Sequence, residues 1–316
     1  MPHAAGLSSW WSSPPPAVGL EFTAAGVTAV AVASGSPAVV NRHASAALPA
    51  GALAPAPAAP NLADRPAVAA AVRQVLEAVG RPRRVAIVLP DVVARLAIVR
   101  LEQVPARVEE RDQVLRWHVR KAAPFDVEAA QVAIAAGRRL EDGAQEFVVA
   151  LARRDILEEY EGVCAAASAH AGVVDLATSA LMHVAGLAAA RQTGDWMLVH
   201  LAGDYVTLTI VRDRMPIFFR HRGLEGDGAL ADTVHQAAMY YEDRLDGRTL
   251  NGVVLVDPDG GDAALRTVDS TIGGRWRAAV EPLDLSHAGR LADRIGIAPD
   301  AGARLAGAIG IVLREA

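Results

Sequence analysis

The stretch 196–222, WMLVHLAGDYVTLTIVRDRMPIFFRHR, is compatible with few folds. It opens with an apolar run, 196–199, interrupted by His200. Ala202, Gly203 and Asp204 then signal a tight turn, because Gly and Asp tolerate turn dihedrals. Val206, Leu208 and Ile210 alternate with Tyr205, Thr207 and Thr209, the period-2 pattern of a half-buried strand. Residues 212–216 break the alternation and 217–219 restart it, so the stretch predicts a three-strand meander. The same shape occurs about 180 residues earlier: strand 18–22, turn 23–26, strand 27–32, turn 34–37, strand 38–40. Two such units predict an internal duplication.

The remaining elements fit between these units. Residues 48–60 read as an Ala/Pro-rich linker. A helix follows from Pro66 to Val79, with Asp64 as N-cap, Gly80 as stop, and Val68, Val72, Val75, Leu76 and Val79 as its apolar stripe. RVAIVL (84–89) reads as a buried strand ended by Pro90-Asp91, and alternation resumes over 97–101. Residues 109–121 predict a charged amphipathic helix with Val108, Leu115 and Val119 on one face, stopped by Ala123 to Asp126. Strands 131–139 and 146–151 flank the hairpin signal Asp142-Gly143. Helix 153–169 carries Cys164 on an apolar face with Ile156, Tyr160 and Val163, so this cysteine is expected in the core. Strand 172–175 and helix 178–191 lead into the second meander. Beyond it come helix 231–245, strand 251–256, a DPDGG turn, helix 263–272, a short strand near 276–280 and a last helix 300–314 with Leu305, Ile309 and Val312 on one face.

Bulk properties exclude several function classes. With 316 residues, 52% of them hydrophobic, a large core and two domains are expected. The formal charge of −5 carries no nucleic-acid signature. A single cysteine excludes an intramolecular disulfide and any CxxC metal site, and nine histidines show no HExxH spacing, so no metal site is expected. No GxSxG nucleophile turn occurs. Residues 1–17 lack a basic start and an apolar centre and read as a disordered tail, not a signal peptide. No run approaches the roughly 18 apolar residues of a spanning helix, so a cytoplasmic chain is expected. Arg116, Arg120 and Lys121 form a basic patch, but acids at 109, 110 and 112 dilute it, so a solvated face is expected there.

Taken in order, VGLEFTAAGVTAVAV (18–32), WHVRKAAPFDVEAAQVAI (117–134), FVVALARRDILEEYEGVCAAA (147–167), VVDLATSAL (173–181) and AIGIVLR (308–314) resemble the PilM family. These are actin-like type IV pilus assembly proteins related to FtsA and to the cytoplasmic domain of GspL. The resemblance implies a duplicated α/β fold, actin-like ATPase (ribonuclease H-like), with a small α+β insert in the first half. The expected division is a tail 1–17, a first lobe 18–104 returning at 171–192, an insert 105–170, a reduced second lobe 193–298, and a C-terminal helix 299–316 packing on the first lobe.

The resemblance also implies a cleft that in intact members holds Mg–ATP. Here the matching positions depart from the family pattern. Gly19 is kept, Glu21 replaces the first acid, Thr23 the second glycine, and Ala24 and Ala25 the small hydroxyls. In the second phosphate motif His200 replaces the aspartate, followed by Ala202 and Gly203. Mg²⁺ prefers oxygen ligands to an imidazole. At the adenosine motif Asp257-Pro258-Asp259 precedes Gly260-Gly261, and the segment before the helix at 231 is short. A degenerate nucleotide site is therefore expected: no hydrolysis, no metal, and ATP bound weakly or not at all. His200 is expected as a hydrogen-bonded core histidine, and Asp257 and Asp259 as capping residues. By resemblance the function is that of an adaptor. It would bind the N-terminal tail of an inner-membrane PilN-like protein near the insert helix and Ala123–Phe125, and through it the assembly platform and motor ATPases. Such a protein sits peripherally at the inner membrane through its partner. An active actin-fold ATPase, and a GspL-like type II secretion component, are the alternatives.

Overall fold

The computed structural model describes residues 16–33, 38–188, 194–276, 278–285, 291–293 and 299–315. Residues 1–15 of the expected tail 1–17, the turn 34–37 and the end of the helix ahead of Trp196 lie outside the described residues. Pro16 is buried and the Ala17 carbonyl accepts the Val32 N–H at 2.9 Å, so the fold starts ahead of the expected boundary.

The first meander forms as β1 (Val18–Thr23), β2 (Gly26–Ala33) and β3 (Ala38–Ala47). Helix α1 (Arg65–Ala78) follows; the Asp64 carboxylate accepts the Ala67 N–H at 3.0 Å, and Gly80 leaves the helix at φ 106°. Then come β4 (Arg84–Leu89), β5 (Ala94–Leu101), α2 (Val108–Val119), β6 (Ala130–Arg139), β7 (Gln145–Arg153), α3 (Arg154–Ala166), β8 (His170–Leu176) and α4 (Ala177–Ala188). The second half runs β9 (Trp196–Ala202), β10 (Tyr205–Arg212), β11 (Met215–Gly223), α5 (Ala229–Arg244), β12 (Val253–Val256), α6 (Asp262–Trp276), β13 (Val280–Pro282), β14 (Leu291–Asp293) and α7 (Pro299–Glu315).

Sheet order exposes the duplication. The first sheet reads β14-β3-β2-β1-β4-β8 and the second β11-β10-β9-β12-β13. Apart from β14, each has five strands: a three-strand antiparallel meander whose first strand pairs in parallel with the strand after the first helix, which pairs in parallel with a fifth. Helices α1, α3 and α4 of the first half correspond in order to α5, α6 and α7 of the second.

Three clusters show the layers. One face of the first sheet packs on α1 and α3 through Phe22, Ile87, Val72, Tyr160 and Cys164. The second sheet packs on α5 and α6 through Val199, Leu208, Tyr241 and Ile272. Between the sheets lie α4 and α7, packed on Val30 and Val88 from one side and Leu198 and Val256 from the other. Small residues permit this close approach. A Cβ on Gly310 of α7 would stand 2.1 Å from the Ala180 carbonyl oxygen, and one on Gly19 would stand 2.0 Å from that of Ala308.

Three differences from expectation have physical reasons. The insert's sheet, β5-β7-β6, begins at β5, before residue 105, because β5 pairs along its whole length with β7. Helix α3 belongs to the core of the first sheet. Helix α6 runs through Trp276, which was expected in a strand; its indole N–H reaches the Glu242 carboxylate at 2.6 Å and its ring meets Tyr241 edge-on, fixing the last helical turn. On α2, Leu115 and Val119 are buried as expected, while Val108 at its first residue is 53% exposed. No helix among the described residues is long and apolar enough to cross a membrane.

Candidate functional site

A cleft of about 970 Å³ opens where the turns of the two meanders approach each other. The β1–β2 turn, the β9–β10 turn, the start of α4 and residues Ala303 and Arg304 of α7 contribute to its wall. Of the positions predicted from the nucleotide motifs, Glu21, Thr23, Ala24, Ala25, His200, Ala202 and Gly203 line it together. Gly19, Gly260 and Gly261 are not part of the wall; their neighbours Pro258 and Asp259 are. Gly19 instead packs against the backbone of α7.

The floor is polar and closed. Glu21 is buried on β1, and its Oε2 accepts the Ala308 N–H of α7 at 3.2 Å. Gly307 leaves room for this carboxylate: a Cβ there would lie 2.4 Å from Oε1. Burial pushes the Glu21 carboxyl up to about 7, against the pull of the His200 charge. His200 is buried on β9 as expected, with Nδ1 3.4 Å from Oδ2 of Asp91; the expected hydrogen bond is not formed at Nδ1, because the contact lies outside hydrogen-bond geometry. Asp91 follows β4 and is fully buried. It accepts the Thr178 N–H at 2.9 Å and the Thr178 hydroxyl at 2.7 Å, tying the first turn of α4 to the floor. Burial alone would raise its pKa, but His200 and Thr178 outweigh burial and hold the carboxyl below its ordinary range.

Asp91 was read from sequence only as a strand-ending turn residue. The Pro90-Asp91 pair after an uninterrupted apolar strand marks the carboxyl end of a buried parallel strand, where α/β clefts form, and that was the available signal.

Backbone donors at two turns near the cleft are engaged internally. The Thr23 hydroxyl accepts the Gly26 N–H at 3.1 Å. The Asp257 carboxylate accepts the N–H groups of Asp259 at 3.1 Å and Gly260 at 3.2 Å, the capping role expected for it. The described residues lining the cleft include four carboxylates, Glu21, Asp204, Glu225 and Asp259, and one guanidinium, Arg304. Arg304 Nε donates to the Pro258 carbonyl at 2.7 Å. Tyr205 and His221 add a ring pair at 5.8 Å, and burial lowers the pKa of His221.

No protein family and no curated protein matches the chain by sequence. Solved structures do match. A chain of a PilM–PilN type IV pilus biogenesis complex superposes with a TM-score of 0.78 and 20% identity, over 95% of this chain and 98% of that one. The cytoplasmic domain of EpsL, an inner-membrane component of the type II secretion system of Vibrio cholerae, follows with a TM-score of 0.50 and 12% identity, over 80% and 93%. A Bacteroides thetaiotaomicron protein with an actin-like ATPase fold and unknown function has a TM-score of 0.48 and 11% identity, over 83% and 89%. At these identities the likeness is one of fold. The fold is the duplicated actin-like one, consistent with the two matching sheets described above.

Proposed function

We propose that this protein is a non-hydrolysing adaptor of type IV pilus assembly that binds the short N-terminal tail of an inner-membrane PilN-like protein. The observation that carries this reading is the cleft floor, where Glu21 and His200 are turned onto α7 and Asp91. A metal-bound triphosphate needs oxygen ligands for the ion and converging donors for the phosphates. Here an imidazole stands at one acid position, the amides of Gly26, Asp259 and Gly260 already have acceptors, and carboxylates outnumber the guanidinium. These residues do not fit Mg–ATP, and function falls to protein binding. The end-to-end likeness to a chain solved in a PilM–PilN complex supports pilus assembly as the setting. The protein would then sit at the inner membrane through its partner.

Two measurements test the two halves of the proposal. Isothermal calorimetry with Mg–ATP is expected to show no micromolar binding; micromolar affinity would overturn the degenerate-site reading, and Mg²⁺-dependent phosphate release the non-hydrolysing one. Pull-down with a PilN-like tail peptide from the same genome is expected to capture the protein. Failure of both the peptide and the full-length partner would remove the adaptor reading. A second reading, an active nucleotide-binding protein, is favoured by the survival of a cleft of about 970 Å³ at the expected place, and the same calorimetry decides it.

A further inference from the structure

The basic patch on α2 differs from its appearance in the sequence. The acids that dilute it there are spent: Glu110 pairs with Arg107 at 3.5 Å and Asp112 with Arg111 at 2.8 Å. Glu109 and Glu110 sit in the first turn of the helix, at the end that favours negative charge. From Gln113 to Phe125 the chain has no carboxylate. Arg116 near the other end, and Arg120 and Lys121 in the 3₁₀ turn Arg120–Ala122 that continues it, are exposed, and none of them forms an ion pair with a described residue; the pairs of this region use Arg100, Arg107, Arg111 and Arg138.

In their midst Trp117 is 68% exposed. Leu115 and Val119, on either side of it in sequence, are fully buried, so Trp117 points away from the insert's core, with Arg120 and Lys121 about one turn further along the same face. Its ring touches the exposed ring of His118 edge-on at 5.2 Å. A helix C-terminus accounts for cations in the last turn, but not for an indole held in water at their centre.

We propose that this end of α2, Trp117 with Arg116, Arg120 and Lys121, docks on an anionic lipid bilayer surface. The patch presents one indole, 68% exposed, amid exposed cations paired with no carboxylate among the described residues, so a fluid anionic interface that needs no matching pocket suits it better than a shaped protein partner. Indole rings settle at the headgroup level, and Arg and Lys beside them keep their charge among phosphates while their stems lie on apolar surface. Cations at an anionic surface strengthen binding individually and lose that effect as salt rises. Three cations and one indole make a weak site, which fits a second contact added to another means of recruitment. The site is separate from the cleft but adjoins 123–125, where the partner's tail is expected; the vesicle test, run on the chain without that partner, decides it independently of the adaptor reading.

Vesicle co-sedimentation of the full chain tests it, comparing pure phosphatidylcholine with phosphatidylcholine containing phosphatidylglycerol, at low and high salt. The protein is expected to sediment only with the anionic vesicles and only at low salt. Arg120→Glu/Lys121→Glu should weaken partitioning by about tenfold or more, and Trp117→Ala by about fivefold. Trp117→Phe should retain most binding, and circular dichroism should show all variants folded. No sedimentation with anionic vesicles, equal binding to neutral ones, or binding indifferent to both variants would overturn the proposal. So would a patch whose variants change only the self-association of the protein in light scattering without lipid.

Discussion

Glu21 and His200 occupy the same place in the two repeats. Each stands two residues before the end of its meander's first strand, and each pairs across to a threonine, Thr28 or Thr207. Their settings differ in a reciprocal way. Glu21, from the first half, is held by the backbone of α7, which closes the second. His200, from the second half, is held near Asp91, which belongs to the first. The two cleft-lining positions thus each reach across from one half to the other.

Two residues further back in the same strands, the repeats differ most sharply. Gly19 lies under the α7 backbone, while its counterpart Leu198 fills the space between the sheets. Gly19→Val would drive side-chain atoms into the Ala308 carbonyl, which belongs to backbone and cannot swing aside. It should cost more than about 3 kcal/mol or leave no soluble protein. Leu198→Ala should cost about 2–5 kcal/mol by leaving a cavity, yet still fold. Urea unfolding of both variants checks the contrast; a mild Gly19→Val would mean that α7 is not seated on β1.

The two contacts separate by pH. The folded pKa of Glu21, about 7, lies above its ordinary 4.5, so the native state binds the proton more tightly. Its contribution to stability is full below about pH 4.5, falls as the pH rises to about 7, and is level beyond, a loss on the order of 3 kcal/mol. Asp91 works the other way: its lowered pKa gives stability that is present above 3.8 and lost as the pH falls further, so the two windows do not overlap. Thermal unfolding at about pH 5 and about pH 8 should show wild type losing stability between them and Glu21→Gln losing much less. His200→Gln removes the influence that lowers the Glu21 pKa, so it should push that pKa higher and widen the fall. A flat wild-type profile would show that Glu21 is not buried as described.

Much of this fold is legible in the sequence because the signals are local. Alternation in 205–210 and the capped helix after Asp64 need no tertiary information, and β4 runs over 84–89 as read. The strand at 205–210 is buried on both faces, not half-buried as expected, because Tyr205, Thr207 and Thr209 are covered too. What stays hidden is set by contacts distant in sequence. β5 looks like part of the first lobe until its pairing with β7 claims it, and Trp276 looks like a strand residue until Glu242 and Tyr241 hold it in a helix. At the site, motif positions bring Glu21 and His200 together, but motif matching treats Gly19 as a phosphate-loop residue when its neighbour is a helix near the other end of the chain. Asp91 carries only the general signal of its place after a buried strand, and Trp117 carries none; burial, in one case, and exposure, in the other, single them out.

The smallest expected effects sharpen the comparison at the two turns. Gly203, in the β9–β10 turn, has φ 65° and open space around it, so Gly203→Ala meets no clash and pays only for the left-handed backbone, about 1 kcal/mol. Thr23, which matches Ala202 just before that turn, acts at the β1–β2 turn through its hydroxyl, which holds the Gly26 N–H. Thr23→Ala exposes that donor to water, so the loss should be about 0.5 kcal/mol. The variant also frees an amide on the cleft wall, the kind of group a phosphate would use. If the captured amides alone kept nucleotide out, Thr23→Ala would gain measurable ATP affinity. With the surrounding carboxylates in place and His200 still at the floor, calorimetry should show no gain, and a gain would move the cause from the cleft's charge to its turns.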